Sequence, residues 1–282
     1  MNMNPTPPFP LVRDTPTSFV VNGLVGDLYG NDLDRPPLVL LHGLTFNRHL
    51  WDPIVMELRT LDPSRRVLSL DLPGHGESVP LTSYDMVTLT DHLHEVIQQS
   101  NLGTPVIVGH SIAAIIATVY AARFPTEGVI NVDQPLLTQP FAEMLQTMED
   151  QLRSPAFDSL WTMITRGFHT ELLPQSGQDL VHATSNPRQE IVLGYWQEVL
   201  AQSVADLTGY IDATVTTLGE WNVPFLIIAG KEPEPNYLAW LHQALAQARM
   251  VVFADSGHFP QLRYPKRFAQ VLLGLDPDQI PT

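Results

Sequence analysis

Short apolar runs recur along the chain, each closed by a polar turn and followed by a stretch whose apolar residues stand three or four apart. Phe19-Val20-Val21 and residues 24–29 flank Asn22-Gly23, the pair that favours a type I′ turn, which predicts a hairpin at an antiparallel sheet edge. Pro37-Leu38-Val39-Leu40-Leu41 is continuously apolar, as a strand buried on both faces must be. Residues 51–58 place Trp51, Val55 and Leu58 on one helical face. A further strand over 67–70 ends in Asp71-Leu72-Pro73-Gly74-His75-Gly76-Glu77-Ser78, a tight turn. Leu89, Leu93 and Val96 or Ile97 give 87–97 helical spacing, and 106–108 begin a strand that passes into an apolar helix ending near Ala117. Residues 129–132 form one more strand, closed by Asp133.

The rhythm changes between 134 and 220. Helical windows at 141–152, 157–168 and 189–204 follow one another without a convincing strand. Strand character returns at 224–230, then a helix over 237–247, a strand over 250–253 and a last helix over 266–273. Strands and helices alternating at this interval predict an α/β fold, a mostly parallel sheet with helices on both faces. The expected organisation is a flexible leader over 1–16, a core built from 17–133 and 221–275, and a helical cap over 134–220 inserted after the sixth strand.

Composition narrows the chemistry. A chain of 282 residues with 44% hydrophobic and 16% charged content is long enough for one catalytic domain with an insertion. No run of eighteen apolar residues is present, so no membrane span is expected. The formal net charge of -15 opposes a polyanionic partner, because nucleic-acid affinity comes from cationic neutralisation of phosphates. With no cysteine, disulfides, thiolate nucleophiles and Cys-type zinc sites are excluded, and a serine or carboxylate must do any covalent work. Residues 1–10, rich in Pro and Asn, have neither a basic start nor an apolar h-region, which suggests a cytoplasmic protein. No Gly-rich phosphate loop appears, Gly74-His75-Gly76 does not match a dinucleotide fingerprint, and His92 and His94 stand two apart on a helix and so face different ways. No cofactor and no metal are therefore expected, and the partner is a small-molecule substrate. Oligomeric state is open.

Two side chains stand out as reactive. In Val106-Ile107-Val108-Gly109-His110-Ser111-Ile112-Ala113, a serine sits at the apex of a strand-to-helix turn between two small residues, Gly109 and Ala113. A Gly-X-Ser-X-Gly elbow lifts a nucleophilic hydroxyl clear of a sheet; here alanine stands at the second glycine, and a plain helix N-cap is the competing reading of Ser111. A serine hydroxyl needs a base to remove its proton. Of ten histidines, His258 in Asp255-Ser256-Gly257-His258-Phe259 is best placed, on the loop after the last strand, although a surface loop histidine is the alternative. Both lie at carboxyl ends of strands, where catalytic groups of open α/β sheets gather.

With these motifs in hand, the chain resembles the α/β-hydrolase family from about Val20 to Leu273, through His42-Gly43, the Asp71 to Ser78 turn, the Ser111 elbow and Ser256-Gly257-His258-Phe259. The resemblance implies an eight-stranded sheet and a nucleophile-acid-histidine triad with Ser111 as nucleophile and His258 as base. For the acid, most relatives place an Asp a few residues after the strand that corresponds to 225–229, where this chain has Pro233 between Glu232 and Glu234. The other candidate is Asp133, on the strand after the elbow helix. Asp133 is favoured, because a carboxylate at an apolar strand end needs a buried partner to offset desolvation; a helix N-cap is its competing role. The fold further implies oxyanion donors from the backbone amides of Leu44 and Ile112. Phe46, His110, Phe259 and, from the cap, Trp161 are expected to line the substrate pocket, while His75 is expected to fix its own turn.

The functional expectation is a serine hydrolase cleaving a small to medium apolar carboxylic ester or lactone through an acyl-enzyme. Carbon-carbon bond hydrolysis uses the same triad. Two rivals come from other classes: a cofactor-free dioxygenase of a hydroxylated N-heteroaromatic ring, which the resemblance admits, and a slow-turnover ligand-sensing relative, whose elbow Gly109-His110-Ser111-Ile112-Ala113-Ala114 resembles.

Overall fold

The computed structural model describes residues 16–274, so all of the expected leader except Pro16 lies outside the described residues. The strands are β1 (Thr17–Val21), β2 (Leu24–Tyr29), β3 (Leu38–Leu41), β4 (Val67–Leu70), β5 (Val106–His110), β6 (Gly128–Val132), β7 (Phe225–Ala229) and β8 (Arg249–Val252). They form one eight-stranded sheet in the order β1-β2-β4-β3-β5-β6-β7-β8. β2 pairs antiparallel with β1 and β4, and every pairing from β4 through β8 is parallel. The hairpin forms as expected, with Asn22 and Gly23 both at positive φ, 48° and 77°. β3, β4 and β6 are buried at every residue, which is why their sequences are largely apolar rather than alternating, with Ser69 of β4 bonded to Arg48 O and Asn131 of β6 to Gln134.

Helices cover both faces of the sheet. On one side α1 (Asp52–Leu61) is joined, at the end of the chain, by α12 (Pro260–Arg263) and α13 (Pro265–Leu272), and Trp51, Ile54, Leu58 and Phe268 fill the space against Leu38 and Leu40. On the other side α2 (Met86–Gln99), α3 (Ile112–Ala121) and α11 (Pro235–Ala244) pack through Leu89, Leu93, Ile116, Val119 and Leu241. Each such buried side chain contributes about 1.5–3 kcal/mol relative to exposure. α2 starts where Asp85 caps it, its side chain accepting from Thr88 N at 2.8 Å. α3 is buried along nearly its whole length, as an all-apolar helix must be.

Between β6 and β7 the chain is helical: α4 (Gln139–Thr147), α5 (Glu149–Leu152), α6 (Phe157–Arg166), α7 (Gln175–Thr184), α8 (Gln189–Tyr195), α9 (Gln197–Ala201) and α10 (Val204–Glu220). The expected window 141–152 is two helices that break at Met148, and 189–204 is two that break at Trp196, whose indole is buried against Phe141 and Trp161. α10 begins anew where Ser203 Oγ accepts from Asp206 N at 3.1 Å. α7 escapes the sequence pattern because only Gly177 and Thr184 of its residues are buried, leaving no apolar stripe to read. Ile211, Val215 and Leu218 carry α10 back into the same apolar cluster as α3. No helix among the described residues is long and apolar enough to cross a membrane.

Candidate active site

The site gathers at the carboxyl ends of β3, β5, β6 and β8. Ser111 stands between β5 and α3 with φ 55 and ψ -132, a conformation that strains any residue with a Cβ. Its neighbours hold it there: Ser111 N donates to Val132 O at 3.0 Å and Ala114 N to Ser111 O at 2.7 Å. Strand and helix touch so closely that a Cβ at Gly109 would collide with the Ala113 carbonyl. The crowding falls on the Ala113 backbone, so a methyl at that position is tolerated where the motif usually has glycine. No side chain caps α3, so the N-cap reading of Ser111 fails.

Asp133 follows β6 at φ 53. Asn131 shapes this turn from both sides, its Nδ2 donating to Gln134 O at 2.9 Å and its Oδ1 accepting from Gln134 N at 3.1 Å. The Asp133 carboxylate accepts from His258 Nδ1 at 2.8 Å through one oxygen and from Gly230 N at 2.7 Å through the other. Burial pushes its pKa up, but the bonds from His258 and Gly230 outweigh burial and hold the carboxyl below its ordinary value. Asp133 therefore sits ionised against the imidazole. Glu232, the other carboxylate considered, is exposed on the loop after β7.

His258 is fixed at three points. Its side chain meets Asp133, its N–H donates to Phe168 O at 2.9 Å, and its carbonyl accepts from His110 Nε2 at 2.8 Å. Asp255 and Gly257, at φ 58 and 56, turn the loop tightly, and Ser256 Oγ closes it on Phe253 O at 2.6 Å. Gly230 must lack a side chain, because a Cβ there would overlap the Gly257 carbonyl oxygen. With Nδ1 committed to Asp133, Nε2 is the ring nitrogen left to exchange a proton. The Phe168 ring, from the turn after α6, stacks on the imidazole at 4.7 Å and 28°.

The amides expected to bind an oxyanion belong to Ile112, at the start of α3, and to Leu44, in the turn after β3. Ile112 N is the first of α3, one of the N–H groups that no helical carbonyl can satisfy, at the positive end of the helix dipole. The turn that carries Leu44 is shaped by Thr45 at φ 71 and by Phe46 N donating to Gly43 O at 3.2 Å. Two buried histidines pin this turn to the loop after β4. His42 Nδ1 donates to Gly43 O at 2.8 Å while its Nε2 accepts from Leu72 N at 3.0 Å. His75 Nδ1 donates to Pro73 O at 3.1 Å while its Nε2 accepts from Thr45 N at 3.0 Å. Burial pushes their pKa values down to about 4 and about 3, which keeps both rings neutral and able to accept. His75 thus fixes not only its own turn but the one beside Leu44.

All four residues expected to line the substrate pocket are buried. His110 is wholly buried, pushed down to about 3 by burial, and braces the His258 backbone. Phe259 is likewise buried, edge-on to Phe46 at 5.6 Å. Trp161 packs against Phe157 and Trp196 inside the helical insertion, where a large indole gains most from burial. Phe46 also lines a cavity shared with Thr45, His75 and Arg188. Asn131 was missed, since it stands in no motif, while Phe168, whose sequence position reads as helical core or as a substrate contact, stacks on His258 through a contact that forms only on folding. His92 and His94 do point apart, to Asn22 O and to the Tyr120 hydroxyl.

A parallel-sheet core with this strand order, carrying a serine elbow and a histidine-carboxylate pair, defines a class of α/β enzymes. Residues 38–271 match the model of the Alpha/beta hydrolase family, and the chain belongs to that family. Pimeloyl-[acyl-carrier protein] methyl ester esterase of Neisseria meningitidis serogroup A is 28% identical over 243 residues, covering 82% of this chain and 73% of the relative. The enzyme of the same name from Nitrosomonas europaea is 27% identical over 248 residues, covering 83% and 92%. Among solved structures, the esterase EaEST of Exiguobacterium antarcticum aligns with a TM-score of 0.69 at 21% identity, covering 89% of this chain and 94% of its own, a likeness of fold.

Proposed function

We propose that this α/β hydrolase cleaves small to medium, fairly apolar carboxylic esters or lactones through an acyl-enzyme. Ser111 Oγ attacks the ester carbonyl as His258 Nε2 takes its proton; the amides of Leu44 and Ile112 hold the tetrahedral oxyanion. Collapse of the intermediate expels the alcohol, which receives that proton from His258. Water, deprotonated by His258, then attacks the acyl-serine and releases the acid, returning the proton to Ser111. Asp133 keeps Nδ1 protonated and stabilises the imidazolium. The observation that carries this reading is the 2.8 Å bond from His258 Nδ1 to an ionised, largely buried Asp133, whose strand also accepts the Ser111 amide. The relatives named as methyl ester esterases support the ester as the bond cleaved.

In this reading residues 134–220 form a cap over a core of 17–133 and 221–275. Its supports are Phe168 on His258 and the Tyr195 hydroxyl, which donates to Pro73 O at 3.0 Å in the loop after β4. The test is labelling with a fluorophosphonate probe read by mass spectrometry. Modification at Ser111 that vanishes in Ser111→Ala and falls sharply in His258→Ala is expected. A folded protein that takes no label while a small ester panel stays uncleaved overturns the reading, and oxygen uptake with a hydroxyquinolone then becomes the measurement to make.

A further inference from the structure

The Leu44 N–H proposed to hold the oxyanion is a backbone group, so its aim is set by the two peptide planes that meet at Leu44. In a trans peptide the N–H points opposite the preceding carbonyl, and Leu44 N–H is therefore aimed by whatever holds Gly43 O. That oxygen accepts from His42 Nδ1 at 2.8 Å and from Phe46 N at 3.2 Å. The next plane carries Thr45 N–H, which donates to His75 Nε2 at 3.0 Å. Each plane is thus held by one buried, neutral histidine. The turn abuts the nucleophile: a Cβ at Gly43 would fall 3.2 Å from Ser111 Cβ. Thr45 itself stands at φ 71, where a β-branched residue persists only if its surroundings over-determine it.

The His75 plane leads out of the sheet core into the helical insertion. Pro73 O accepts from His75 Nδ1 at 3.1 Å, which fixes the tautomer that leaves Nε2 as the acceptor for Thr45. The same carbonyl accepts from the Tyr195 hydroxyl at 3.0 Å, and the Tyr195 ring meets the His75 imidazole edge-on at 5.1 Å and 76°. Tyr195 is buried and ends α8. The insertion reaches Thr45 a second time, directly, where Asn186 N donates to Thr45 O at 2.7 Å. Both sides of the strained residue beside Leu44 are therefore held from residues 186–195, one of them through His75. We propose that Tyr195 and His75 are positioning residues, a relay through which the seat of the helical insertion on the core fixes the aim of the Leu44 amide. The kinetic consequence rests on the ester-hydrolase reading; the mechanical coupling does not.

Two readouts on the full chain test the relay: steady-state hydrolysis of p-nitrophenyl butyrate, and amide exchange at Thr45 followed by NMR, which needs no substrate. His75→Leu, which removes the acceptor, should lower kcat about ten- to thirtyfold. Acylation and deacylation both pass through the oxyanion, so both slow together and KM stays within about twofold. His75→Gln, whose carboxamide oxygen accepts from Thr45 N, should recover kcat to within about threefold of wild type, and Tyr195→Phe should cost about three- to fivefold. Because the two residues act in series, the double variant His75→Leu/Tyr195→Phe should lose no more than His75→Leu alone. The control is Glu198→Ala, which removes a different contact of the insertion with the core, the bond from Met86 N at 2.8 Å, and should stay within about twofold. Exchange at Thr45 should quicken at least about fivefold in His75→Leu and Tyr195→Phe and stay unchanged in Glu198→Ala. Losses that multiply in the double variant, a rise in KM at constant kcat, no recovery in His75→Gln, or an equal loss in Glu198→Ala overturn the relay. If wild type cleaves no ester, the hydrolase reading fails, and unchanged Thr45 exchange in Tyr195→Phe still overturns the coupling. Should His75→Leu not fold, Tyr195→Phe, which removes one oxygen, carries both readouts.

Discussion

Replacing Asp133 by Asn separates the two carboxylates that the sequence left in competition, and its cost follows from the hydrogen bonds. One oxygen of Asp133 accepts from a backbone amide, Gly230 N at 2.7 Å, and the other from His258 Nδ1 at 2.8 Å. An asparagine has a single oxygen. The Gly230 N–H cannot rotate away, so that oxygen stays with it and the Asn NH₂ turns toward His258. Two donors cannot face each other, and the imidazole responds by moving its proton to Nε2. The ring then holds the wrong tautomer and cannot accept the Ser111 proton. Such a change removes roughly 10³- to 10⁴-fold in kcat, or about 4–5.5 kcal/mol of transition-state stabilisation. Stopped-flow hydrolysis of p-nitrophenyl butyrate by wild type, Asp133→Asn and Glu232→Gln reads it directly. Glu232 is exposed, so Glu232→Gln should stay within about twofold of wild type. A kcat for Asp133→Asn within tenfold of wild type, or an equal loss in Glu232→Gln, would refute the assignment of the acid.

Three more outcomes are expected. Gly230→Ala should lower the thermal midpoint by a few degrees and kcat together, since the overlap with the Gly257 carbonyl costs about 1–3 kcal/mol and displaces the His258 loop; an unchanged midpoint by scanning calorimetry would contradict this. Phe168→Leu should reduce kcat about three- to tenfold through loss of the stack on His258, with KM little changed and Phe168→Tyr near wild type; if tyrosine and leucine behave alike in steady-state assays, the ring has no positioning role. His42, His75 and His110 are held near about 4, about 3 and about 3, below the value near 6.5 of an unfolded chain, so below pH 6.5 the unfolded state binds more protons. Their stabilising contribution is complete above pH 6.5 and is lost as pH falls toward the folded values. Unfolding free energies from urea titration should therefore drop between pH 7 and pH 5, by about 1–2 kcal/mol per histidine, and a flat profile would show that these rings are not neutral and buried.

The order of strands and helices, the Asn22-Gly23 hairpin and the two reactive loops were legible in the sequence because each is a local matter. Unbroken apolar runs mark strands buried on both faces, and glycine or alanine on either side of Ser111 marks a turn where strand and helix backbones nearly touch. His258 was legible for a similar reason, since Ser256-Gly257 announces a tight loop after the last strand.

What only the tertiary structure decided lies in contacts between residues far apart in the chain. Asp133 and His258 are 125 positions apart, and no local pattern records that β6 ends where the last loop returns, nor that Glu232 points to solvent instead. His110 reads as pocket lining because it neighbours the nucleophile, but a strand residue's face is set by the sheet around it, and its ring turns inward to carry the His258 carbonyl. Phe168 sits at the end of an ordinary helical window and becomes part of the site only when the insertion folds down onto His258. The cavity lined by Thr45, His75 and Arg188 exists because three segments far apart in the chain meet there, and such a meeting has no signature in sequence.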